Sequence, residues 1–319
     1  MSEVITIGEP MALLVADHEG PLEDIEHFTK YVAGAEVNFS IGMTRLGHSV
    51  TYITKLGLDP FGKYINKFLQ QQNIKTPYIK FDDSNRTGMQ LKAKVSVGDP
   101  EVFNFRKGSA ASHLNLPDVE DIVWENVKHL HLTGIPPALS ATCRSVTYKL
   151  IETAKENGVS ISFDPNLRLQ LWEDKEEMVQ IINELASQSD IVLPGINEGL
   201  LLMGSDDENA IADFYLNKGV STVIVKLGEK GAFVKTKEDS FIVPGFKVEK
   251  VVDTVGAGDG FAVGVISGLL DGLSLKDAVR RGNAVGALAV MSPGDNDGLP
   301  NPDQLETYMN SQKDNGINR

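Results

Sequence analysis

The chain has 319 residues, 41% of them hydrophobic, and a formal net charge of −14 at pH 7. This length and apolar content suit a folded chain with a large core. An acidic surface argues against binding to nucleic acid or to an anionic membrane, because both select basic patches. The single cysteine, Cys143, excludes an internal disulfide and fits a cytoplasmic location. We expect no signal peptide, because no cationic segment precedes a long apolar run at the N-terminus.

The first hundred residues predict short strands interrupted by two helices. Strands are expected at Val4–Ile7, Val50–Thr54 and Tyr78–Phe81. Helices are expected from Ala33 to Leu46 and from Pro60 to Gln72, the second with proline at its first position. Alternating apolar residues at 88–97 and 101–105 predict two further strands.

After residue 127 the pattern changes to regular alternation of strand and helix, which indicates a parallel sheet built from right-handed βαβ units. Two later segments, Ala232–Thr236 and Phe241–Val243, are typical of an antiparallel pair. Two apolar helices, Asp259–Leu270 and Ser274–Met291, then follow. The fold class is therefore α/β, and a chain of this length is compatible with one domain. The strands predicted in this half are Val127–Leu132, Val159–Phe163, Ile191–Leu193 and Thr222–Val225, and the helices are Ser140–Asn157, Lys175–Ser187, Asn197–Met203 and Glu208–Asn217.

The stretch Asp253-Thr-Val-Gly-Ala-Gly-Asp259 stands between a β-branched run, Val248–Val252, and an apolar helix. Gly256 and Gly258 permit a tight turn into the helix N-terminus, where free N–H groups bind anions. A carboxylate beside an anion site is useful if it takes a proton from a group that attacks the anion, so the stretch points to phosphoryl transfer. The alternative is a plain turn in which Asp259 offsets the helix dipole. The spacing matches neither a Walker A motif nor a dinucleotide fingerprint.

This stretch resembles the D-T-x-G-A-G-D signature of the ribokinase family of carbohydrate kinases, the phosphofructokinase-B type. A second signature of that family is visible from Ala33 to Ser40. The resemblance implies a three-layer α/β/α core with a mostly parallel sheet. It also implies that residues 1–319 form one domain, with a small β-sheet lid inserted at about 11–32 and 87–105. ATP and Mg²⁺ would be its cofactors.

The resemblance assigns roles to residues at the glycine turn and beyond it. Asp259 would be the catalytic base, and Gly256, Ala257 and Gly258 would form an anion hole for the transferred phosphate. Nucleotide contacts would come from those two glycines and from Asn197, Lys226, Gly228, Gly231, Asn283 and Ala287. From the residues alone, the segment 226–231 could equally be a hairpin turn, and Asn283 and Ala287 could be ordinary helix packing.

Metal sites are also implied by the resemblance. Asn197 and Glu198 match an element that orders Mg²⁺ and its waters, and Mg²⁺ commonly keeps waters and uses few carboxylates. As residues, both could instead be ordinary helix caps. Asp253 and Thr254 match the family's monovalent-cation loop, which would bind K⁺; the sequence leaves open whether a cation binds there.

Two arginines indicate which kind of sugar would bind. Arg106 and Arg168 each follow a predicted strand, and their planar guanidinium groups suit a carboxylate. Each could instead pair with a surface acid, as Glu173 and Asp174 lie close to Arg168 in sequence.

The segments around these arginines, R-K-G-S-A-A-S and F-D-P-N-L-R, resemble those of 2-keto-3-deoxygluconate kinases, with fructokinases or kinases of a related sugar acid as the alternative. The subgroup often has tyrosine where this chain has Asn104. In that subgroup the substrate would be surrounded by Gly34, Asn38, Asn104, Arg106, Arg168, Asp259 and Asp295.

Two further expectations concern the protein as a whole. The same fold could serve a non-enzymatic nucleotide or sugar sensor, but Asp259 and the G-A-G turn are intact, which favours an enzyme. The exposed edges of a lid could pair with a second copy of the chain, so a homo-oligomer is compatible with the sequence.

Overall fold

The computed structural model describes residues 2–95, 100–292, 294 and 296–314. The strands are β1 (Val4–Ile7), β2 (Met11–Ala16), β3 (Phe28–Ala33), β4 (Val50–Gly57), β5 (Ile79–Asp82), β6 (Met89–Lys92), β7 (Val102–Phe105), β8 (His129–Thr133), β9 (Ser160–Asp164), β10 (Ile191–Val192), β11 (Thr222–Lys226), β12 (Gly231–Lys235) and β13 (Ser240–Pro244). The α-helices are α1 (Ala35–Arg45), α2 (Pro60–Gln71), α3 (Ile135–Leu139), α4 (Ala141–Glu156), α5 (Lys175–Ser187), α6 (Ile196–Met203), α7 (Glu208–Leu216), α8 (Ala257–Leu270), α9 (Leu275–Val290) and α10 (Pro302–Asp314).

The large sheet has nine strands in the order β13-β12-β11-β10-β9-β8-β1-β4-β5. The seven strands from β11 to β5 pair in parallel, and β12 and β13 are antiparallel additions at one edge. The predicted strand–helix alternation and the antiparallel pair are confirmed. Because parallel strands all end at the same edge of the sheet, the loops that follow them are brought together there.

The small sheet consists of β3, β2, β6 and β7 in that order. Its two outer pairings are antiparallel, and β2 pairs with β6 in parallel. Side chains alternate between its faces with a period of two residues. On β7, Val102 and Asn104 line the cleft described below. Phe103 and Phe105 take the alternate positions and are 45% and 57% exposed. Residues 96–99 of the segment predicted as 87–105 lie outside the described residues.

Helices cover both faces of the large sheet, which gives three layers. Neighbouring strand residues belong to different cores: Tyr52 belongs to the core that contains residues of α1, α8 and α9, whereas Ile53 belongs to the core that contains residues of α4 and α5. Strands with two apolar faces are buried on both sides, as parallel sheets require. In the described part of the chain no helix is long and apolar enough to cross a membrane.

Two local features go beyond the predicted elements. The β-branched run Val248–Val252 lies in no strand of the described structure, and Val251 and Val252 are 57% and 46% exposed. β-Branched residues favour strands only when a partner strand and a packing surface are present. The helix Ile135–Leu139 was not predicted; its two prolines lie in the first helical turn, where proline is tolerated.

A carboxyl group is buried where α1 meets the large sheet. Glu36 is fully buried and accepts a hydrogen bond from the Thr133 hydroxyl at the end of β8. Burial raises the pKa of Glu36 to about 7, with the Thr133 hydrogen bond opposing the rise. The raised pKa means that the protonated carboxyl stabilises the folded state relative to the charged form. This contribution to the free energy of unfolding is fully present below pH 4.5 and is lost as the pH rises through about 7.

We predict that Glu36→Gln, which mimics the protonated side chain, changes the pH dependence of stability. The wild type should lose stability relative to the variant between pH 4.5 and about 7, by on the order of 3 kcal/mol. Urea unfolding at a series of pH values measures the difference. Parallel curves for the two proteins would contradict the prediction.

Candidate active site

The carboxyl ends of the parallel strands open into a cleft of about 1110 Å³. Glu9 follows β1, Asp164 ends β9, Glu198 follows β10 and Lys226 ends β11, and all four side chains line the cleft. The small sheet contributes to the opposite side of the cleft. This position is where open α/β sheets usually bind ligands.

The glycine turn 256–258 forms one wall of the cleft at the start of α8. Gly256 has φ of 81°, a left-handed conformation that favours glycine. Gly256 and Gly258 line the cleft directly. The N–H of Ala257 makes one long hydrogen bond of 3.4 Å to the Thr254 carbonyl oxygen. The first N–H groups of a helix have no partner within the helix, so this turn can hold an anion.

The Asp259 carboxylate lies in the first turn of α8 and lines the cleft, where it is partly exposed. Its Oδ2 accepts a hydrogen bond of 2.9 Å from Asn38 Nδ2, and its Oδ1 accepts one of 3.2 Å from Asn166 Nδ2. Burial raises the pKa of Asp259 above its ordinary value, while Asn38, Arg168, Lys226 and Asn166 oppose the rise. A raised pKa makes the carboxylate a stronger proton acceptor.

One acceptor of Asn38 is left without a partner. Its side chain is 2% exposed, and within the described residues its buried Oδ1 has no hydrogen-bond partner. A buried acceptor without a partner is costly. Asn38 is held near the cleft by the first turn of α1, which begins after Gly34 at φ of 146°.

A buried ion pair lies behind the glycine turn. Lys226 Nζ donates to both carboxylate oxygens of Asp164 at 2.8 Å. Burial lowers the pKa of Lys226, but the carboxylates of Asp164, Glu198 and Asp259 together more than offset this, so its pKa lies above the ordinary value. A Cβ atom on Gly258 would lie 3.7 Å from Nζ. The ammonium group is thus a fixed positive charge next to the anion site.

The two arginines predicted from the sequence both line the cleft. Arg106 donates through Nε at 2.6 Å and also through Nη2 to the same oxygen of Glu9, and Glu9 also accepts from the Ser109 hydroxyl. Glu9 is 1% exposed, so this pair is buried rather than on the surface.

Arg168 differs from Arg106. It is exposed, and its Nη1 donates to neutral oxygens: at 2.5 Å to Asn166 Oδ1 and at 3.2 Å to the Leu167 carbonyl oxygen. Its charge is therefore available to an anionic ligand.

Two segments could hold metal ions: Asn197 with Glu198, and Asp253 with Thr254. Glu198 caps α6 by accepting a hydrogen bond of 2.7 Å from the Gly195 N–H, and it also accepts one of 3.0 Å from the Leu167 N–H in the loop after β9. Asn197 lines the cleft next to it in the chain. Each carboxylate oxygen keeps a further lone pair, and a hydrated Mg²⁺ needs few direct ligands. Within the described residues no cluster of three or more His, Cys, Asp or Glu residues forms a metal cage.

The Asp253 carboxylate is already engaged in this structure. Its Oδ2 accepts from Lys92 Nζ of the small sheet at 2.9 Å, and its Oδ1 accepts from the Val255 N–H at 3.0 Å. Thr254 lines the cleft, whereas Asp253 does not. A monovalent cation at this loop would depend on carbonyl oxygens or would compete with Lys92.

Comparisons with known proteins agree with this geometry. The family model described as pfkB family carbohydrate kinase matches residues 1–302. The chain belongs to this family. It is 47% identical over 312 residues to 2-dehydro-3-deoxygluconokinase of Bacillus subtilis (strain 168), covering 98% of this chain and 96% of that protein. It is 31% identical to probable fructokinase-4 of Arabidopsis thaliana, covering 97% of each.

Solved structures of similar proteins confirm the predicted ribokinase-like fold of this pfkB kinase. A PfkB protein from Polaromonas sp. JS666 superposes with a TM-score of 0.89 at 44% identity, covering 96% of this chain and 99% of that one. A putative ribokinase II from E. coli, in complex with ATP and Mg²⁺, superposes with a TM-score of 0.88 at 29% identity, covering 98% and 100%.

Not every predicted residue of the pfkB kinase lines the cleft. Asn283 is buried and donates to the carbonyl oxygens of Val243 and Pro244 at 3.0 Å, so it fastens α9 to β13. A Cβ atom on Gly231 would lie 2.1 Å from the Val243 carbonyl oxygen, which explains glycine there by strand packing. Asp295 lies outside the described residues. Among the described residues, those predicted for the site but absent from the cleft lining are Gly231, Asp253, Ala257, Asn283 and Ala287.

Sequence reasoning missed six polar residues that line the cleft: Glu9, Gln90, Lys92, Asp164, Asn166 and Gln170. A signal existed for Glu9, Asp164 and Asn166, because each lies at or just after the carboxyl end of a parallel strand. Lys92 ends a strand of the small sheet, where no general rule marks a ligand site.

Proposed function

We propose that this chain transfers the γ-phosphoryl group of ATP to the primary hydroxyl of 2-keto-3-deoxygluconate, also called 2-dehydro-3-deoxygluconate, giving the 6-phosphate. One observation carries the proposal. The Asp259 carboxylate is held by two amide groups at a helix N-terminus that can bind an anion, and it opens into a cleft. A proton acceptor beside an anion site is what an alcohol needs to attack phosphorus.

In the proposed reaction the sugar O–H bond breaks and the proton moves to Asp259. The hydroxyl oxygen bonds to the γ-phosphorus while the bond between that phosphorus and the β–γ bridging oxygen breaks, and ADP leaves. N–H groups of the turn 256–258 and the Lys226 ammonium stabilise the negative charge that shifts during transfer. Mg²⁺, when bound near Asn197 and Glu198, would neutralise phosphate charge.

The nucleotide would lie along the part of the cleft formed by the loops after β10 and β11. Asn197, Lys226 and Gly228 line that part, and the glycine turn closes it. A structural relative with ATP and Mg²⁺ supports this assignment. Asn283 and Gly231 are not part of this nucleotide site, because both lie against the backbone of β13.

The sugar would lie between the small sheet and α1. Gly34, Asn38 and Asn104 line this part of the cleft with the two arginines. Because Glu9 compensates the charge of Arg106, Arg168 is the cation that would distinguish a sugar acid from a neutral sugar. The relative at 47% identity supports the acid, whereas the plant relative at 31% supports fructose as the alternative.

The small sheet would act as a lid over the sugar and limit hydrolysis of ATP by water. We infer a cytoplasmic enzyme from the single, buried cysteine.

We predict that Asp259→Asn lowers kcat at least about a hundredfold while ATP still binds, because the amide cannot accept the proton. Steady-state kinetics and calorimetric titration with ATP measure the two effects. Asp271→Asn, at the other end of the same helix, is the matched control and should keep full activity. Near-normal turnover of Asp259→Asn would remove this residue from the role.

A panel of sugars and sugar acids, scored for ADP production with Mg²⁺, tests the substrate. We predict that the sugar acid is preferred and that Arg168→Gln raises its KM about 10- to 100-fold, the loss expected for a charged hydrogen bond, with little effect on the KM for fructose. A wild-type preference for fructose would favour fructokinase. No sugar-dependent ADP production would favour a sensor.

We predict a homodimer that forms through the small sheet. Among the described residues β7 pairs with a strand on one side only, and Phe103 and Phe105 beside this edge are 45% and 57% exposed. Sedimentation velocity should give about twice the 34.7 kDa chain mass. Phe103→Ser should shift the protein toward monomer, and a wild-type monomer at all concentrations would contradict the prediction.

A further inference from the structure

Asn166 lies in the cleft between two residues with assigned roles. Its Nδ2 donates to Asp259 Oδ1 at 3.2 Å, and its Oδ1 accepts from Arg168 Nη1 at 2.5 Å. The two ends of one amide group therefore connect the base with the exposed arginine. Asn166 has no role of its own in the reaction proposed above.

The two partners fix which way the amide points. An arginine can only donate and an ionised carboxylate can only accept, so the carbonyl oxygen must face Arg168 and the NH₂ group must face Asp259. A substitution that keeps the shape but replaces the NH₂ group with an oxygen would therefore place an acceptor, rather than a donor, next to the Asp259 carboxylate.

The backbone of Asn166 is held in an uncommon conformation. Its φ is +39°, in the left-handed region, which asparagine tolerates better than most residues. Its N–H donates to Asp164 Oδ1 at 3.2 Å, which is the carboxylate that also binds Lys226. A non-glycine residue kept in such a conformation at a cleft is often there for function.

Asp259 receives its second amide from a different element. Asn38 belongs to α1 and is 2% exposed, so its position is set by the core. Asn166 belongs to the loop after β9 and is positioned through the exposed Arg168. A ligand that moves Arg168 therefore acts on the base through Asn166, in addition to the direct effect of the arginine charge, and not through Asn38.

We propose that Asn166 is a positioning residue for the base, which holds the Asp259 carboxylate through its NH₂ group and transmits the occupancy of Arg168 to it. This inference rests on the proposed function in that it takes Asp259 as the base. Binding of the sugar acid at Arg168 is thereby connected to the orientation of the group that activates the hydroxyl.

The charges around Asp259 determine the direction of the expected effect. Arg168 and Lys226 face it as cations, and Glu36 and Asp164 face it as acids. Removing the Asn166 donor leaves the carboxylate less stabilised, so the pKa of Asp259 rises. The base is active when deprotonated, so the acid limb of the rate profile moves to higher pH.

The experiment compares Asn166→Asp and Asn166→Gly with the wild type. Asn166→Asp keeps the shape of the side chain, the bonds to Arg168 and the tolerance of positive φ. It replaces the donor that faces Asp259 with a second carboxylate. Asn166→Gly removes the side chain and accepts the backbone conformation without strain. The control is Asn73→Asp, an exposed asparagine at φ of +60° far from the cleft in sequence.

Two measurements are made on each protein. The first is the pH profile of kcat/KM with whichever sugar the wild type accepts. The second is a ¹³C NMR titration of the aspartate carboxyl groups, in which the Asp259→Asn variant assigns the resonance. We expect Asn166→Asp to raise the pKa of Asp259 and shift the acid limb by about one unit or more, Asn166→Gly to shift both less, and Asn73→Asp to shift neither.

The connection to Arg168 is tested by a double-mutant cycle. Arg168→Gln should raise the pKa of Asp259 more in the wild-type background than in the Asn166→Gly background, because part of its effect passes through the amide. Equal shifts in the two backgrounds would overturn the connection.

Each result decides a separate point. An Asp259 resonance that titrates in Asn166→Asp as in the wild type would overturn the positioning role. If that variant does not fold, the same titration of Asn166→Gly decides. If no sugar gives ADP, the proposed function fails, while the NMR titration still tests the role of Asn166.

Discussion

The site depends on keeping a carboxylate next to a place built for an anion. Two negative groups side by side repel each other, so each must be stabilised separately. The helix N-terminus and Lys226 lie where they can bind the anion, while Asn38 and Asn166 donate hydrogen bonds to Asp259. Burial raises the pKa of Asp259, and the two amides oppose the rise together with the charges of Arg168 and Lys226.

The cations of the cleft are mostly fixed by acids of the same chain. Arg106 is held by Glu9 and Lys226 by Asp164, and each acid is nearly fully buried. Buried ion pairs contribute little net stability, because desolvation costs about as much as the attraction returns. Their effect here is orientation, because each cation is held in one position beside the cleft. An acidic chain can in this way present cations at one site without a basic surface.

The sequence predicted the parts of the fold that local pattern determines. The alternation of strands and helices follows from apolar periodicity, and the turn at Gly256 follows from two glycines before a helix. Contacts between distant segments could not be predicted in this way. Glu9 and Arg106 are 97 residues apart, and Lys92 and Asp253 are 161 apart, so only the folded topology brings them together. The exposed run Val248–Val252 shows the same limit, because a strand needs a partner that local pattern cannot supply.

The ion pair between Lys92 and Asp253 joins the small sheet to the loop that precedes α8. Lys92 ends β6 of the small sheet, and Asp253 begins the loop that leads to the glycine turn. The same carboxylate also accepts the Val255 N–H, so it helps to shape that loop. If the small sheet moves as the proposed lid, withdrawing Lys92 would leave the Asp253 carboxylate without this cation in the loop that leads to the glycine turn, and an uncompensated carboxylate there would weaken anion binding at the turn. In the proposed reaction, covering of the sugar would in this way be coupled to stabilisation of the phosphate.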